Sequence, residues 1–95
     1  MIKPLTNDEL STALNTLTEW QVADGKLFRR LLFTDFIEAF EFMKRVAEVA
    51  EQNDHHPEWL NVYNRVDIWL TTHECGAISQ RDLILANAID CRVQR

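Results

Sequence analysis

The chain has 95 residues, 46% of them hydrophobic and 26% charged, and a formal net charge of -5. That length holds one domain over residues 1–95, with a small core that partner subunits would help to stabilise, and the composition is that of a soluble globular protein. Ten scattered Lys and Arg residues against fifteen acids exclude a nucleic-acid groove, and no apolar run approaches the ~20 residues of a bilayer span.

Thr6 and Glu9 have the spacing of a capping box and open a short helix to about residue 16, burying Leu10, Leu14 and Leu17. Trp20–Val22 and Leu27–Phe33 then read as strands joined by a turn at Asp24-Gly25, a strong hairpin signal. In the second strand Leu27, Arg29, Leu31 and Phe33 share one face.

From Thr34 to about Asn53 the period becomes helical, with Phe36, Phe40, Met43, Ala47 and Ala50 on one stripe. Phe42, Val46 and Val49 flank that stripe, so the apolar arc exceeds half the circumference. One sheet could hardly bury so much, which points to a subunit contact through this helix, the strand from Val66, or both.

Leu60–Tyr63 and Val66–Thr72 predict a second hairpin around Asn64-Arg65, with its register open. Val66, Ile68 and Leu70 alternate with Asp67, Trp69, Thr71 and His73. Ser79 and Asp82 form another capping-box spacing, opening a last helix to about Val93 that is covered on more than one side. The order helix-strand-strand-helix-strand-strand-helix predicts an α+β fold, a four-stranded antiparallel sheet with three helices on one face.

The candidate chemistry is concentrated in Asp54-His55-His56-Pro57-Glu58-Trp59. Adjacent side chains outside a helix diverge, so two imidazoles can line two walls of one pocket, and Pro57 stiffens the backbone that carries them. Imidazole exchanges protons near neutral pH, and Glu51 and Asp54 are close in sequence to set tautomers or hold substrate donors. Two other readings stand beside this one. On the first, the histidines simply close a helix whose dipole favours cations. Alternatively His56, His73 and Cys75, with Asp54, would bind zinc, although their spacing matches no short zinc motif. Cys75 and Cys91 do not make a disulfide framework, and residues 1–8 lack the apolar core of a signal peptide, so a reducing cytoplasm is the expected location.

Glu51-x-x-Asp54-His55-His56-Pro57-Glu58-Trp59-x-Asn61-Val62-Tyr63-Asn64-x-Val66, then Thr72-His73 and Ser79-x-x-Asp82, resembles the pterin-4a-carbinolamine dehydratase family. Phe33-Thr34-Asp35-Phe36, Ala39-Phe40-x-Phe42-Met43, Leu85-Ala86 and Ile89-Asp90 extend the resemblance over most of the chain from Leu27. Ala77 departs from it, in the turn beside His73.

The resemblance implies the same order of elements, assembly as a dimer or tetramer, and a dehydratase needing neither metal nor organic cofactor. Its substrate would be a 4a-hydroxytetrahydropterin released by an aromatic amino acid hydroxylase, and its product a quinonoid dihydropterin that is reduced and recycled. The reaction must protonate the 4a hydroxyl while a ring N–H loses its proton. His55, His56 and His73 would be the catalytic set, with His56 nearest the hydroxyl region and the acid and base unassigned. Glu51, Asp54, Pro57, Trp59 and Asp82 would complete the substrate site, although Trp59 also reads as core and Asp82 as a helix cap. Since the three histidines face a pocket, replacing each should leave the fold intact. Some animal members also bind a homeodomain transcription factor. A protein-binding module acting as dimerisation cofactor or coactivator, through the helix face with Phe42, Val46 and Val49, is therefore one alternative. A slow pterin-binding accessory protein is another.

Overall fold

In the computed structural model, which describes residues 2–93, the elements follow the expected order. They are α1 (Asn7–Leu14), β1 (Gln21–Ala23), β2 (Lys26–Leu32), α2 (Phe36–Gln52), β3 (Glu58–Val62), β4 (Arg65–Leu70) and α3 (Gln80–Asp90). Both capping boxes form: Thr6 Oγ1 accepts from Glu9 N–H, and the Asp82 carboxylate accepts from Ser79 N–H. Asp35 caps α2 by accepting from Glu38 N–H at 2.9 Å. The first hairpin turns on Asp24 and Gly25, with φ of 53° and 75°, the pair of left-handed residues that a tight turn between twisted strands requires.

The strands make one antiparallel sheet in the order β1-β2-β4-β3. Leu27 pairs with Leu70, Arg29 with Ile68 and Leu31 with Val66, so the alternate residues of the two central strands face the helices together. Against them pack Phe42, Val46, Val49 and Ala50 of α2 and Leu85, Ala86 and Ile89 of α3, closed at the margin by Leu17, Trp20 and Ile78. Leu17 lies beyond the end of α1, while Leu10 and Leu14 are only half-buried against this core.

Helix α2 corrects the sequence reading. The buried side is Phe42, Val46 and Val49, whereas Phe36 and Phe40 of the expected main stripe are 45% and 48% exposed, beside Ile37 at 71%. The two faces are similarly apolar, and helical period alone does not choose between them; packing against the sheet and α3 does. A protein contact through Phe42, Val46 and Val49 is thereby excluded, because all three are in the core.

The second hairpin turns on Tyr63-Asn64, with Val62 opposite Arg65 and Tyr63 in the left-handed region at φ 53°. Val62 therefore lies on the face away from the helices, with Leu60, Asp67 and Leu32. Asp67 is nearly sealed there beneath Arg30, which donates to both of its oxygens at 2.7 and 3.1 Å. That carboxylate raises the guanidinium pKa of Arg30 further. Both edges of β4 are paired, so the strand from Val66 has no edge to offer a second copy.

Arg29 is the one cation among the helix-facing residues of β2. Its guanidinium donates to Asp90 at the end of α3, and the indole of Trp20 donates to the same oxygen at 2.8 Å. The buried charge is thereby paired and hydrogen-bonded, the condition for tolerating it there.

Candidate active site

The two adjacent histidines owe their placement to the way α2 ends. Asn53 is the C-cap of α2, and Asp54 turns into the left-handed region at φ 50°. Asp54 N–H then donates to Glu51 O at 3.2 Å and His55 N–H to Ala50 O at 3.1 Å, the pair of backward hydrogen bonds of a Schellman motif. Glycine is the usual occupant of such a position, and aspartate tolerates it better than most residues. The reversal sends His55 inward, to 8% exposure, and leaves His56 exposed. Pro57 follows, and β3 begins at Glu58.

His55 ends on a buried acid. Its Nε2 lies 2.6 Å from Oδ1 of Asp82, which is fully buried in the first turn of α3. The other carboxylate oxygen of Asp82 accepts from Ser79 N–H at 2.9 Å and from the Thr72 hydroxyl at 2.8 Å. Thr72 and Ser79, both buried, are themselves 2.6 Å apart between hydroxyl oxygens. Asp82 thus serves as helix cap and as partner of an imidazole at once, through opposite oxygens. It lies behind His55, not on the wall a ligand would touch.

The other two histidines meet acids near solvent. His56 Nε2 is 2.8 Å from Glu51 Oε1, both groups being well exposed. His73 Nε2 is 3.5 Å from Glu58 Oε2, and the second oxygen of Glu58 takes a hydrogen bond from Lys26 Nζ at 2.7 Å. His73 projects from a tight turn closed by the pairing of Thr72 with Ala77, with Gly76 in the left-handed region at φ 66°. Ala77 fits this turn as a bridge residue. Cys75, in the same turn, points its thiol at the carbonyls of Thr72 and Ala77.

Asp54, His55, His56, Pro57, Glu58, Thr71, His73, Glu74 and Arg81 line one cleft of about 400 Å³. That volume is within the range of small-molecule sites. Arg81 donates to Glu74 at 2.9 Å across it. The Glu74 carboxyl is held below the usual carboxylate range, first by its own backbone N–H and then by Arg81. Of the sequence-predicted residues, the cleft brings together the three histidines, Asp54 and Pro57. Glu51 joins through His56 and Asp82 through His55, while Trp59 is half-buried against the hydrophobic core. Among the described residues no three His, Cys, Asp or Glu side chains are grouped so as to hold a metal ion, which leaves the His56–His73–Cys75 zinc reading without a geometry. Sequence reasoning gave no part in the site to Glu58, Thr71, Thr72, Glu74, Ser79 or Arg81. Glu58 stood inside the histidine block and Arg81 inside the capping box, but their side-chain directions were not legible there.

Comparison with known proteins gives the family. Residues 3–91 match the family described as pterin 4 alpha carbinolamine dehydratase. A relative from Rhizorhabdus wittichii, provisionally named as such a dehydratase, is 53% identical over 91 residues, covering 94% of each chain. A similarly named relative from Synechococcus sp. is 53% identical over 90 residues, covering 95% of this chain and 97% of its own. The crystal structure of a transcriptional coactivator/pterin dehydratase from Brucella melitensis superposes with a TM-score of 0.92 at 40% identity, over 97% of this chain and 100% of the other. The chain belongs to the pterin-4a-carbinolamine dehydratase family.

Proposed function

We propose that this member of the family dehydrates a 4a-hydroxytetrahydropterin to the quinonoid dihydropterin, and so returns the pterin of an aromatic amino acid hydroxylase to its reducible form. The reaction is the loss of water across the C–N bond of a carbinolamine: the C4a–O bond breaks, the ring nitrogen's electron pair forms the C=N bond, and the N–H proton leaves. The oxygen departs as water after receiving a proton. No electrons are exchanged with the protein, so what remains for side chains is to supply one proton and accept another. The observation that carries this reading is three imidazoles on one cleft, each against its own carboxylate. His56 is assigned to the departing hydroxyl, with Glu51 as its partner. His55 and His73 are the other proton-transfer groups, and Asp54 and Arg81, which line the same cleft, are assigned to the polar edge of the pterin.

A tetrahydropterin-dependent phenylalanine hydroxylase, run so that its 4a-hydroxypterin accumulates, tests the proposal. Added chain should speed disappearance of that intermediate at catalytic concentration. A rate no faster than spontaneous dehydration refutes it, and would leave the slow accessory protein as the reading of the pocket. A second role as a protein-binding module has one observation in its favour, the exposed Phe36, Ile37 and Phe40 on α2. Capture of a partner that survives His56→Ala and is lost with Phe40→Glu would support it.

A further inference from the structure

The buried hydroxyls behind His55 have no part in the mechanism so far, and they carry an inference that rests on the dehydratase reading. We propose that Thr72 is a positioning residue which, through Asp82, fixes the proton of His55 on Nε2 and presents Nδ1 to the cleft as the proton acceptor.

The direction of each hydrogen bond follows from counting protons. An ionised carboxylate only accepts, and a hydroxyl has a single proton to give. Thr72 gives its proton to Asp82 Oδ2, so the 2.6 Å contact with Ser79 has the Ser79 hydroxyl as donor and Thr72 as acceptor. Ser79 Oγ in turn accepts from Arg81 N–H at 3.2 Å. The chain therefore runs one way, from α3 backbone to Ser79, to Thr72, to Asp82. With Oδ2 also taking Ser79 N–H, the negative charge of a fully buried group is met by two donors before the histidine is reached. Oδ1 remains for the imidazole, and a group that can only accept requires the facing nitrogen to carry hydrogen. Neutral His55 is then the Nε2–H tautomer. Its Nδ1 makes no hydrogen bond among the described residues. Nor is that nitrogen sealed, since Arg65 Nε is the one buried side-chain nitrogen or oxygen without a hydrogen bond among them. With Nε2 turned to Asp82, Nδ1 is the ring nitrogen left for the cleft that His55 lines.

Thr72 is the residue to vary, because Ser79 is also the N-cap of α3 and its loss would disturb the helix. Thr72→Val preserves shape and removes the hydroxyl; Thr72→Ser restores it. Two measurements are made on each protein: ¹⁵N-resolved NMR of the His55 ring nitrogens, and kcat and KM with an enzymatically generated 4a-hydroxypterin. Wild type and Thr72→Ser should show His55 protonated at Nε2 and free at Nδ1. Thr72→Val should lose that clean tautomer. Its kcat should fall by roughly 10- to 100-fold, the range that loss of an outer hydrogen-bonding partner produces at metal-bound histidines, with KM nearly unchanged. A merely structural threonine would lower stability without moving the tautomer. The proposal is overturned if wild-type His55 carries its proton on Nδ1, a result that needs no variant, or if Thr72→Val matches wild type in tautomer and kcat. Absence of turnover by the wild type would defeat the dehydratase reading alone, and the ring-nitrogen signals would still decide the part played by Thr72.

Discussion

Replacing His55 with alanine should destabilise the protein, against the expectation that all three histidines can be removed without cost to the fold. The side chain of Asp82 is 0% exposed and that of His55 is 9% exposed, so the bond between them is shielded from water. Breaking a buried pair by removing one partner costs ~3–5 kcal/mol when the remaining charge is stranded. Asp82 is not wholly stranded, since Thr72 and Ser79 N–H still reach it and the adjacent cleft can admit water to the vacated space. That places the loss near ~2–3 kcal/mol, the value of a hydrogen bond to a charged group plus part of the desolvation penalty. For a domain of this size each kcal/mol moves Tm by ~4–8 °C, so a fall of roughly 10–20 °C is expected. His56→Ala removes a pair whose side chains are 57% and 81% exposed and should cost under ~0.5 kcal/mol. Urea unfolding followed by circular dichroism, at one protein concentration for all variants, measures the difference. Repeating His55→Ala on an Asp82→Asn background should cost less, since a neutral amide loses less when its partner goes. If His55→Ala and His56→Ala unfold at the same urea concentration, Asp82 does not depend on the imidazole and the reasoning fails.

Other consequences are open to direct measurement. His56→Ala, with near-native stability, should slow dehydration by roughly 10²- to 10⁴-fold, and exhaustive chelation should leave wild-type turnover unchanged. Activity lost with chelator and regained with zinc would reverse that assignment. Asp54→Gly should be as stable as wild type or up to ~1 kcal/mol more so, because glycine adopts the φ of 50° without steric cost; any loss of turnover then reports the missing carboxylate. A clear destabilisation would show that the Asp54 side chain, not only its backbone, holds the end of α2. Light scattering at micromolar concentration should find an oligomer that Phe40→Glu weakens, since Phe36, Ile37 and Phe40 leave a large apolar patch uncovered. A wild-type monomer would remove the subunit-contact proposal.

What could be read from the sequence was local. Thr6 with Glu9, and Ser79 with Asp82, announce helix starts because a cap reaches only three residues along the chain. Asp24-Gly25 announces a turn because few other pairs accept two left-handed conformations. Asp82 shows where such reading stops. Its capping role and its place near the site look like alternatives in the sequence, yet one carboxylate performs both, with an imidazole 27 residues away on its second oxygen. Arg29 faces inward as the two-residue period requires, but its partner Asp90 is 61 residues on and has no local signature. The buried face of α2 was misjudged for the same reason: Phe40 and Phe42 are equally apolar, and only packing against the sheet and α3 tells them apart. The histidine block was legible as a candidate site; that His55 turns in and His56 out depends on the conformation of Asp54, which no neighbour in sequence dictates.

Helix α3 is fastened at both ends by acids that reach other parts of the chain. Asp82 in its first turn holds His55, and Asp90, its last residue, holds Arg29 and Trp20. A helix tethered at one end can fray from the other, opening a site through small excursions that leave most of the domain folded. Here fraying from either end meets a charged tie to the sheet or to the loop after α2. The imidazole–carboxylate pair should therefore persist for as long as the native state itself, and disappear with it in one cooperative step. A domain fastened in this way has no partly unfolded form in which the cleft survives without the His55–Asp82 pair, or the pair without the cleft.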